Sequence, residues 1–280
     1  MAVATPPAFS QGLHNQNLPT FRVLNTFVHA IDQATVETQL RAFLDEEGSR
    51  HVVTANIDFL RLAHSSPSFT QVLNEADLVV PDGKPVEWIG RYLGFEQCER
   101  TTGPEIIDIC SRLSVESGDR IFLLGGQDGV AEEAGHVLEA RFPGIIICGA
   151  YSPPECDYPF EPSVEAEIRR RLVEADPQIV FVGFGCPKQE LWIRDHRELV
   201  GARIYVGIGG SFNFISGHVR RAPRGMQRLG LEWIYRLCME PRRLWRRYLQ
   251  RDLPFALWLV ANEARRKIGL RPDSMFSGEA

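Results

Sequence analysis

One carboxylate in the sequence has the setting of a general base. Asp82 follows a short apolar run at residues 78–80 and lies in the tripeptide Pro81-Asp82-Gly83. An unbroken apolar run of this length is typical of a strand buried on both faces of a parallel sheet, and such sheets bind ligands at the carboxyl ends of their strands. Asp82 is therefore a candidate for proton abstraction, although Pro-Asp-Gly is also an ordinary turn sequence.

Two further polar side chains are predicted to lie at the same edge. Residues 51–56 have the pattern of a second strand, which contains Thr54 and ends at Asn56. Because the carboxyl ends of neighbouring parallel strands meet at one edge of a sheet, we expect both side chains to lie near Asp82. The sequence thus predicts a small polar cluster around one carboxylate.

Three predicted strands run into glycine-rich turns, which begin at Gly125, Gly183 and Gly207. Glycine lets a backbone approach a phosphate or a nucleotide closely and leaves backbone N–H groups free to bind it. None of the turns completes G-x-G-x-x-G, and no G-x-x-x-x-G-K-[ST] occurs, so a dinucleotide fingerprint and a P-loop are both disfavoured. The glycines could instead permit close packing of strand and helix, and the sequence leaves both interpretations open.

The elements that must position these residues alternate regularly along the chain. Apolar runs predict strands at residues 21–27, 51–56, 78–80, 121–124, 145–148, 179–182 and 204–206. Apolar residues at helical spacing predict helices between them, for example at residues 130–142 and 164–175. This alternation predicts an α/β, Rossmann-like fold with a mostly parallel sheet flanked by helices. We expect a core at residues 21–216, a flexible tail at 1–20 and a helical appendage at 217–280.

Composition narrows the class of protein. With 280 residues, 44% of them hydrophobic, the chain can fill a substantial core. Its six cysteines include no C-x-x-C pair and no His at zinc-finger spacing, so neither a disulfide framework nor a structural zinc site is indicated. Residues 1–18 lack the basic and apolar regions of a signal peptide, and no apolar run reaches the roughly 18 residues of a spanning helix. We expect a cytoplasmic protein.

The charge of the chain is distributed very unevenly. The net charge is −5, yet residues 217–251 carry ten arginines against two glutamates and are +8, which leaves −13 elsewhere. This asymmetry predicts contact with an anionic partner, which could be phosphate, lipid headgroups or nucleic acid.

Part of this basic segment has the pattern of an amphipathic helix. Its arginines and its apolar residues repeat at helical spacing on opposite sides; these are Arg242, Arg243, Arg246 and Arg247, and Leu244, Trp245, Tyr248 and Leu249. Such a helix could lie on an anionic membrane surface or pack its apolar side on the domain. Pro241 and Pro254 are expected to divide the appendage into short helices.

Taken together, the motifs resemble one known family. They are Thr54-Ala55-Asn56, Pro81-Asp82-Gly83, Glu99-Arg100-x-x-Gly103, Phe122-x-x-Gly125-Gly126, Gly185-x-Pro187-Lys188-Gln189-Glu190, Gly207-x-Gly209-Gly210-Ser211-Phe212, Arg221-Ala222-Pro223 and Gly230-x-Glu232-Trp233-x-Tyr235-Arg236. In this order the motifs are similar to those of the WecG/TagA/CpsF family of bacterial glycosyltransferases, over about residues 22–248. The resemblance implies an inverting transfer of a hexose, an N-acetylhexosamine or its uronic acid. The donor would be a UDP-sugar and the acceptor a polyprenyl-diphosphate-linked saccharide, at the inner face of the cell membrane.

The resemblance also implies roles for individual residues. Asp82 matches the family's proposed base, with Thr54 beside it, Arg100 matches the arginine that steadies the diphosphate, and Gln189 matches a glutamine facing the sugar. The implied substrate-binding residues are Asn56, Gly125, Gly185, Lys188, Gly209, Gly210, Ser211, Asn213, Arg236, Arg243 and Arg246. Asn213 departs from the pattern, since many relatives have Asp there. No Asp-x-Asp is present, so we expect cationic and backbone groups rather than a metal to stabilise the leaving UDP, and no cofactor.

Two alternatives belong to other classes of protein. A nucleotide-sugar oxidoreductase or epimerase on a Rossmann-like sheet would require the intact glycine fingerprint, which the chain lacks. A non-enzymatic anion-binding protein, such as a nucleic-acid binder, would use the arginines of the appendage, but no recognised nucleic-acid motif occurs. We therefore expect no nucleic acid partner; a homo-oligomer remains open.

Overall fold

The computed structural model describes residues 18–267, apart from the side chains at 199, 243, 266 and 267, so most of the predicted N-terminal tail lies outside the described residues. The strands are β1 (Thr20–Val23), β2 (Thr26–His29), β3 (Arg50–Ala55), β4 (Leu78–Pro81), β5 (Arg120–Gly125), β6 (Ile146–Tyr151), β7 (Ile179–Gly183) and β8 (Ile204–Gly207). The helices of the core are α1 (Gln33–Asp45), α2 (Ile57–Ser65), α3 (Pro67–Asn74), α4 (Lys84–Tyr92), α5 (Gly103–Ser117), α6 (Val130–Arg141), α7 (Pro162–Ala175), α8 (Lys188–His196) and α9 (Ser211–Ile215). A 3₁₀ turn, Arg197–Leu199, follows α8.

Six of the strands form one parallel sheet in the order β4-β3-β8-β7-β5-β6. Side chains alternate between its two faces, as in β4, where Leu78 and Val80 join the core on one side and Val79 joins the core on the other. Helices α1, α5, α6 and α9 cover the first face, and α2, α3, α4, α7 and α8 cover the second. The predicted α/β architecture, a parallel sheet flanked by helices, is confirmed.

The first predicted strand was wrong in one respect. Residues 21–27 do not form a single strand of the main sheet; they belong to the antiparallel hairpin β1–β2, which turns at Leu24 with a φ of 55°. The hairpin packs beside β4, where the Val79 N–H donates to Nδ1 of His29 over 3.0 Å. Burial lowers the pKa of His29 to about 4, so the ring is neutral and can accept this hydrogen bond. The hairpin thus covers an edge that would otherwise be exposed.

The C-terminal appendage contains α10 (Arg224–Arg228), α11 (Glu232–Met239), α12 (Pro241–Trp245) and α13 (Leu253–Lys267). Pro241 begins α12 as predicted, but Pro254 does not end a helix, because α12 continues into α13 through a π-helical segment, Arg246–Asp252. In this segment the Leu253 N–H donates to the carbonyl of Tyr248, five residues back. The wider turn makes room for the proline ring, which would clash in a regular α-helix.

The predicted apolar face of the appendage is only partly turned toward the body. Leu244 is buried and Tyr248 is half-buried, whereas Trp245 and Leu249 are exposed by 41% and 44%. The inward side of the helix is therefore narrower than the predicted face. The appendage instead packs on the body through Phe255, Trp258 and Leu259, which join the core formed around α2.

Ion pairs add a second attachment of the appendage to the body. Arg247 lies 3.2 Å from Asp58, next to the N-terminus of α2. Arg61 on the same helix lies 2.6 Å from Asp58 and 3.6 Å from Asp252 in the π-helical segment. The appendage is therefore held beside the carboxyl end of β3, which leads into α2.

Candidate active site

A cavity of about 970 Å³ lies at the carboxyl ends of β3, β4, β7 and β8. The turns that follow these strands line it from the body, with Asn56 after β3, Asp82 after β4, Gly185 after β7 and Gly209 after β8. This edge, outside the carboxyl ends of the strands, is the usual ligand site of an open α/β sheet. Residues of the appendage line the opposite wall, so the site contains groups that are far apart in the sequence.

The backbone fixes the position of Asp82, and the groups around it set its pKa. Its N–H donates to the carbonyl of Ala55 over 2.8 Å, and Gly83 turns the chain into α4 with a φ of 95°, a value that favours glycine. Burial raises the pKa of Asp82 to about 6, Glu232 adds to the rise, and a hydrogen bond from Asn56 and the charge of Arg236 oppose it. A carboxylate with this pKa is a stronger base than an exposed aspartate and is still mostly ionised at neutral pH.

Thr54 and Asn56 lie beside Asp82, as their positions in the strand predicted, and both line the cavity. Oδ1 of Asn56 accepts from the N–H groups of Asp58 and Phe59, and so caps α2. Since these bonds fix Oδ1 on the helix side, the amide nitrogen is the group that faces Asp82. The Thr54 hydroxyl donates to the carbonyl of Gly207 over 3.2 Å and joins β3 to the end of β8.

Gln189 connects the two glycine turns that follow β7 and β8. Its Oε1 accepts from the Gly185 N–H over 3.1 Å and from the Gly209 N–H over 3.0 Å. Its Nε2 donates to Glu190 over 2.7 Å, which leaves one amide hydrogen for any other partner. Gln189 therefore holds the backbone of this wall in place, and any contact with a sugar would come from that remaining hydrogen.

Glu190 is a buried carboxyl that the sequence reasoning did not assign. Burial raises its pKa to about 8, and its Oε2 has no hydrogen-bond partner among the described residues. A carboxyl with this pKa is mostly protonated at neutral pH, so it carries little charge next to the cavity. The motif Pro187-Lys188-Gln189-Glu190 was the available signal, but no local pattern shows that Glu190 fixes the Gln189 amide.

Four arginines line the cavity and give it a cationic wall: Arg100, Arg221, Arg236 and Arg247. Three of them are partly neutralised, because Arg100 and Arg221 pair with Glu105, at 3.3 and 3.2 Å, and Arg247 pairs with Asp58. Arg236 packs its guanidinium over the ring of Phe214. Within residues 18–267 no carboxylate pairs with Arg236, and its Nε has no hydrogen-bond partner there. Arg236 is thus the cation best placed to bind an anionic ligand.

The cavity combines a carboxylate at the strand ends, Asp82, with four arginines, and the carboxylates of Asp58, Glu232, Asp252 and Glu263 also line it. A base that faces cations is an arrangement suited to group transfer from a nucleoside diphosphate. A model of the glycosyl transferase WecG/TagA/CpsF family matches residues 21–269. The chain belongs to this family. It is a glycosyltransferase, and the predicted resemblance is confirmed.

Curated relatives of the WecG/TagA/CpsF family support the same conclusion. The protein from Staphylococcus aureus strain MW2 is 30% identical over 217 residues, which cover 78% of this chain and 81% of the relative. The protein from strain MRSA252 is 29% identical over the same length. Both are named N-acetylglucosaminyldiphosphoundecaprenol N-acetyl-beta-D-mannosaminyltransferase.

The structure brings most of the residues implied by the WecG/TagA/CpsF resemblance to one cavity. Those in its lining are Thr54, Asn56, Asp82, Arg100, Gly185, Gln189, Gly209, Gly210, Ser211 and Arg236. Arg221 and Arg247 line it as well, although neither was assigned to the site from the sequence. The sequence did not distinguish Arg247 from its neighbouring arginines; in the structure it follows the buried Leu244 by three residues, on the inward side of the helix.

Other implied residues lie away from the cavity lining. Gly125 has a φ of 104°, and a Cβ there would lie 2.8 Å from the Gly183 backbone, so this glycine permits close packing of β5 on β7. The Lys188 ammonium donates to the carbonyl of Cys156. Neither Lys188 nor Asn213 belongs to the lining. Packing, rather than ligand contact, accounts for Gly125 in this structure.

Of the other two arginines implied for the site, Arg246 can be compared with Arg236. Arg246 is exposed, packs over the ring of Trp245, and does not line the cavity. The Arg243 side chain lies outside the described residues. The geometry therefore favours Arg236 over Arg246 as a ligand-binding residue.

Between residues 18 and 267, no group of three or more His, Cys, Asp and Glu side chains is placed to bind a metal ion. All six cysteines fall in this range, and none forms a disulfide. No helix among these residues is both long and apolar enough to span a bilayer.

Proposed function

We propose that the enzyme transfers N-acetylmannosamine or a related hexose, with inversion, from a UDP-sugar to N-acetylglucosamine linked through a diphosphate to a polyprenol. The observation that carries this proposal is the position of Asp82, a carboxylate of raised pKa at the strand ends, close to Arg236 in a cavity that three other arginines also line. The names of the staphylococcal relatives supply the acceptor and the sugar. The wider class of hexoses stays open because the enzyme and these relatives differ at about 70% of the aligned positions.

The mechanism assigns one step to each wall of the cavity. Asp82 removes the proton from the acceptor hydroxyl as its oxygen attacks the anomeric carbon. The bond between that carbon and the diphosphate oxygen breaks on the opposite face, so the configuration inverts and UDP leaves with an added negative charge. Arg236 and Arg100 stabilise this charge, which grows as the bond breaks. Asn56 orients Asp82, and Gln189 holds the turns that surround the sugar.

The acceptor implies where the enzyme works. A polyprenyl-linked acceptor is held in a membrane, so the enzyme is proposed to bind peripherally to the inner face of the cell membrane. The arginine-rich segment at residues 217–251, with its charge of +8, supports this location because anionic headgroups attract basic residues.

The proposal is tested with a panel of UDP-sugars and a lipid-linked N-acetylglucosamine acceptor. Transfer of N-acetylmannosamine, or of one related hexose, with an inverted anomeric configuration in the product would support it. Hydrolysis of the donor without transfer, or transfer with retention for every sugar in the panel, would contradict it.

Transfer is expected to proceed without a divalent metal ion. The sequence has no Asp-x-Asp to hold a metal against a diphosphate, and arginines can carry the charge instead. We expect the rate in excess EDTA to stay within about twofold of the untreated rate. A loss of activity that magnesium or manganese restores would show that the arginines are not sufficient.

A further inference from the structure

The mouth of the cavity differs in character from its catalytic end. Two helices border the mouth with large apolar side chains that line the same cavity as Asp82: Trp88 and Tyr92 on α4, and Leu253, Leu257 and Val260 on α13. They are unusually open to solvent, with 53% of Trp88, 66% of Leu257 and 58% of Val260 exposed. Contiguous apolar surface of this kind marks a binding site for another molecule.

The spacing of these residues makes two continuous apolar strips. Trp88 and Tyr92 are four residues apart and lie on the same side of α4. Leu253, Leu257 and Val260 are spaced at four and then three residues, which places them on one side of α13 along about 10 Å of helix. Because both strips border one cavity, they form the two sides of an apolar groove.

Both helices connect polar residues of the cavity lining to this groove. On α4, the chain passes from Asp82 to Trp88 and Tyr92 within ten residues. On the continuous helix of the appendage, Arg247 lines the cavity about 15 Å before Leu257. Along both paths the polar groups come first and the apolar surface follows. The acceptor under the proposed function likewise passes from polar groups, a sugar hydroxyl and a diphosphate, to a hydrocarbon chain.

We infer that the groove between α4 and α13 binds the first isoprenoid units of the acceptor's hydrocarbon chain. This inference rests on the proposed function and adds a subsite to it. Under this inference the exposed side chains contact the bound ligand rather than a bilayer or a second copy of the enzyme. Contact of isoprenoid methyl and methylene groups with these side chains removes apolar surface from water on both partners, which strengthens binding.

The test measures equilibrium binding of farnesyl diphosphate and of inorganic diphosphate to the full-length enzyme, without detergent or vesicles. We expect farnesyl diphosphate to bind at least tenfold more tightly. The double variant Leu257→Ser/Val260→Ser should lose most of this advantage while keeping its affinity for inorganic diphosphate. Both side chains are exposed, so the substitutions should leave the fold intact.

Val173→Ser is a matched control. Val173 is 57% exposed, almost the same as Val260, but it lies on α7 and does not line the cavity. This variant should bind both diphosphates as the wild-type enzyme does. A loss of the farnesyl preference in Val173→Ser as well would indicate a general effect of surface polarity and overturn the subsite.

Other results separate the competing occupants and the proposed function. Equal affinity for the two diphosphates would overturn the subsite. A double variant that keeps the preference for farnesyl diphosphate but no longer co-sediments with anionic vesicles would also overturn it, because the groove would then contact the bilayer. Dimers that the double variant disrupts, without a change in farnesyl diphosphate affinity, would assign the groove to a second copy. A farnesyl preference that depends on Leu257 and Val260, without sugar transfer to any lipid-linked acceptor, would leave the subsite standing and refute the proposed function.

Discussion

The Asp82→Asn variant is expected to transfer sugar about 10²–10⁴ times more slowly than the wild-type enzyme, the usual loss when a general base is removed. Asparagine has nearly the same size and cannot take the proton from the acceptor hydroxyl. The backbone contact to Ala55 involves no side chain and should persist. The measurement is the single-turnover rate at saturating donor and acceptor, together with UDP affinity by calorimetry, which should change little. A near-normal rate would make Asp82 a turn residue and remove the proposed base.

The pH profile provides an independent check on the same residue. Asp82 acts as a base only when deprotonated, so kcat/KM should fall as the pH drops through about 6, the pKa that burial and Glu232 give it. Glu232→Gln removes a negative charge that raises this pKa, so the acid limb should move to lower pH in that variant. Persistence of the wild-type limb in the residual activity of Asp82→Asn would assign the titration to another group.

Much of the fold was predictable because its signals are local. Parallel strands buried on both faces are unbroken apolar runs, and the runs at β3, β4, β5, β7 and β8 were found close to their observed positions. The hairpin was missed because its turn at Leu24 carries no glycine or proline. Its leucine adopts a positive φ, which the sequence did not indicate. The π-helical segment was missed as well, because Pro254 was expected to end a helix.

The candidate site likewise contains residues that local sequence patterns could group and residues that only long-range packing brings together. Thr54, Asn56 and Asp82 could be grouped from sequence because strand ends in a parallel sheet share an edge. The opposite wall could not, because Arg221, Arg236 and Arg247 reach the cavity only after the appendage packs on α2 through Phe255 and Leu259. The motif resemblance found Arg236 but gave Arg246 the same role, and only the packing distinguishes them.

The attachment of the appendage to the body links the arginines of the cavity to the residues around Asp82. The Arg247–Asp58 pair joins it to α2, whose first turn Asn56 caps while its amide faces Asp82. The helix that carries Arg247 and the helix that Asn56 caps are therefore neighbours in direct contact. Movement of the appendage away from α2 would separate Arg236 and Arg247 from Asp82, so the packed arrangement is the one that supports transfer.

Among the arginines, Arg236→Ala is expected to have the largest effect, a loss of about 10²–10³ in kcat. This is the usual result when one preorganised group that stabilises developing negative charge is removed. Arg236 lacks a carboxylate partner among residues 18–267, so its charge is available to the leaving diphosphate, whereas Arg100 and Arg221 share theirs with Glu105. Because Arg236 also lowers the pKa of Asp82, its removal should move the acid limb to higher pH. The rates are therefore compared at about pH 8, where Asp82 is deprotonated in both enzymes.

Arg246→Ala is the matched control for this prediction, since it removes the same side chain from the same appendage. Arg246 contacts the ring of Trp245 and lies outside the cavity lining, so the variant should keep kcat within about threefold of wild type on a soluble acceptor. Equal losses in the two variants would mean that the appendage contributes through its overall charge rather than through Arg236. A normal kcat for Arg236→Ala at pH 8 would leave Arg100 as the main candidate for stabilising UDP, because Arg100 also lines the cavity and its pairing with Glu105 could then be broken by the arriving diphosphate.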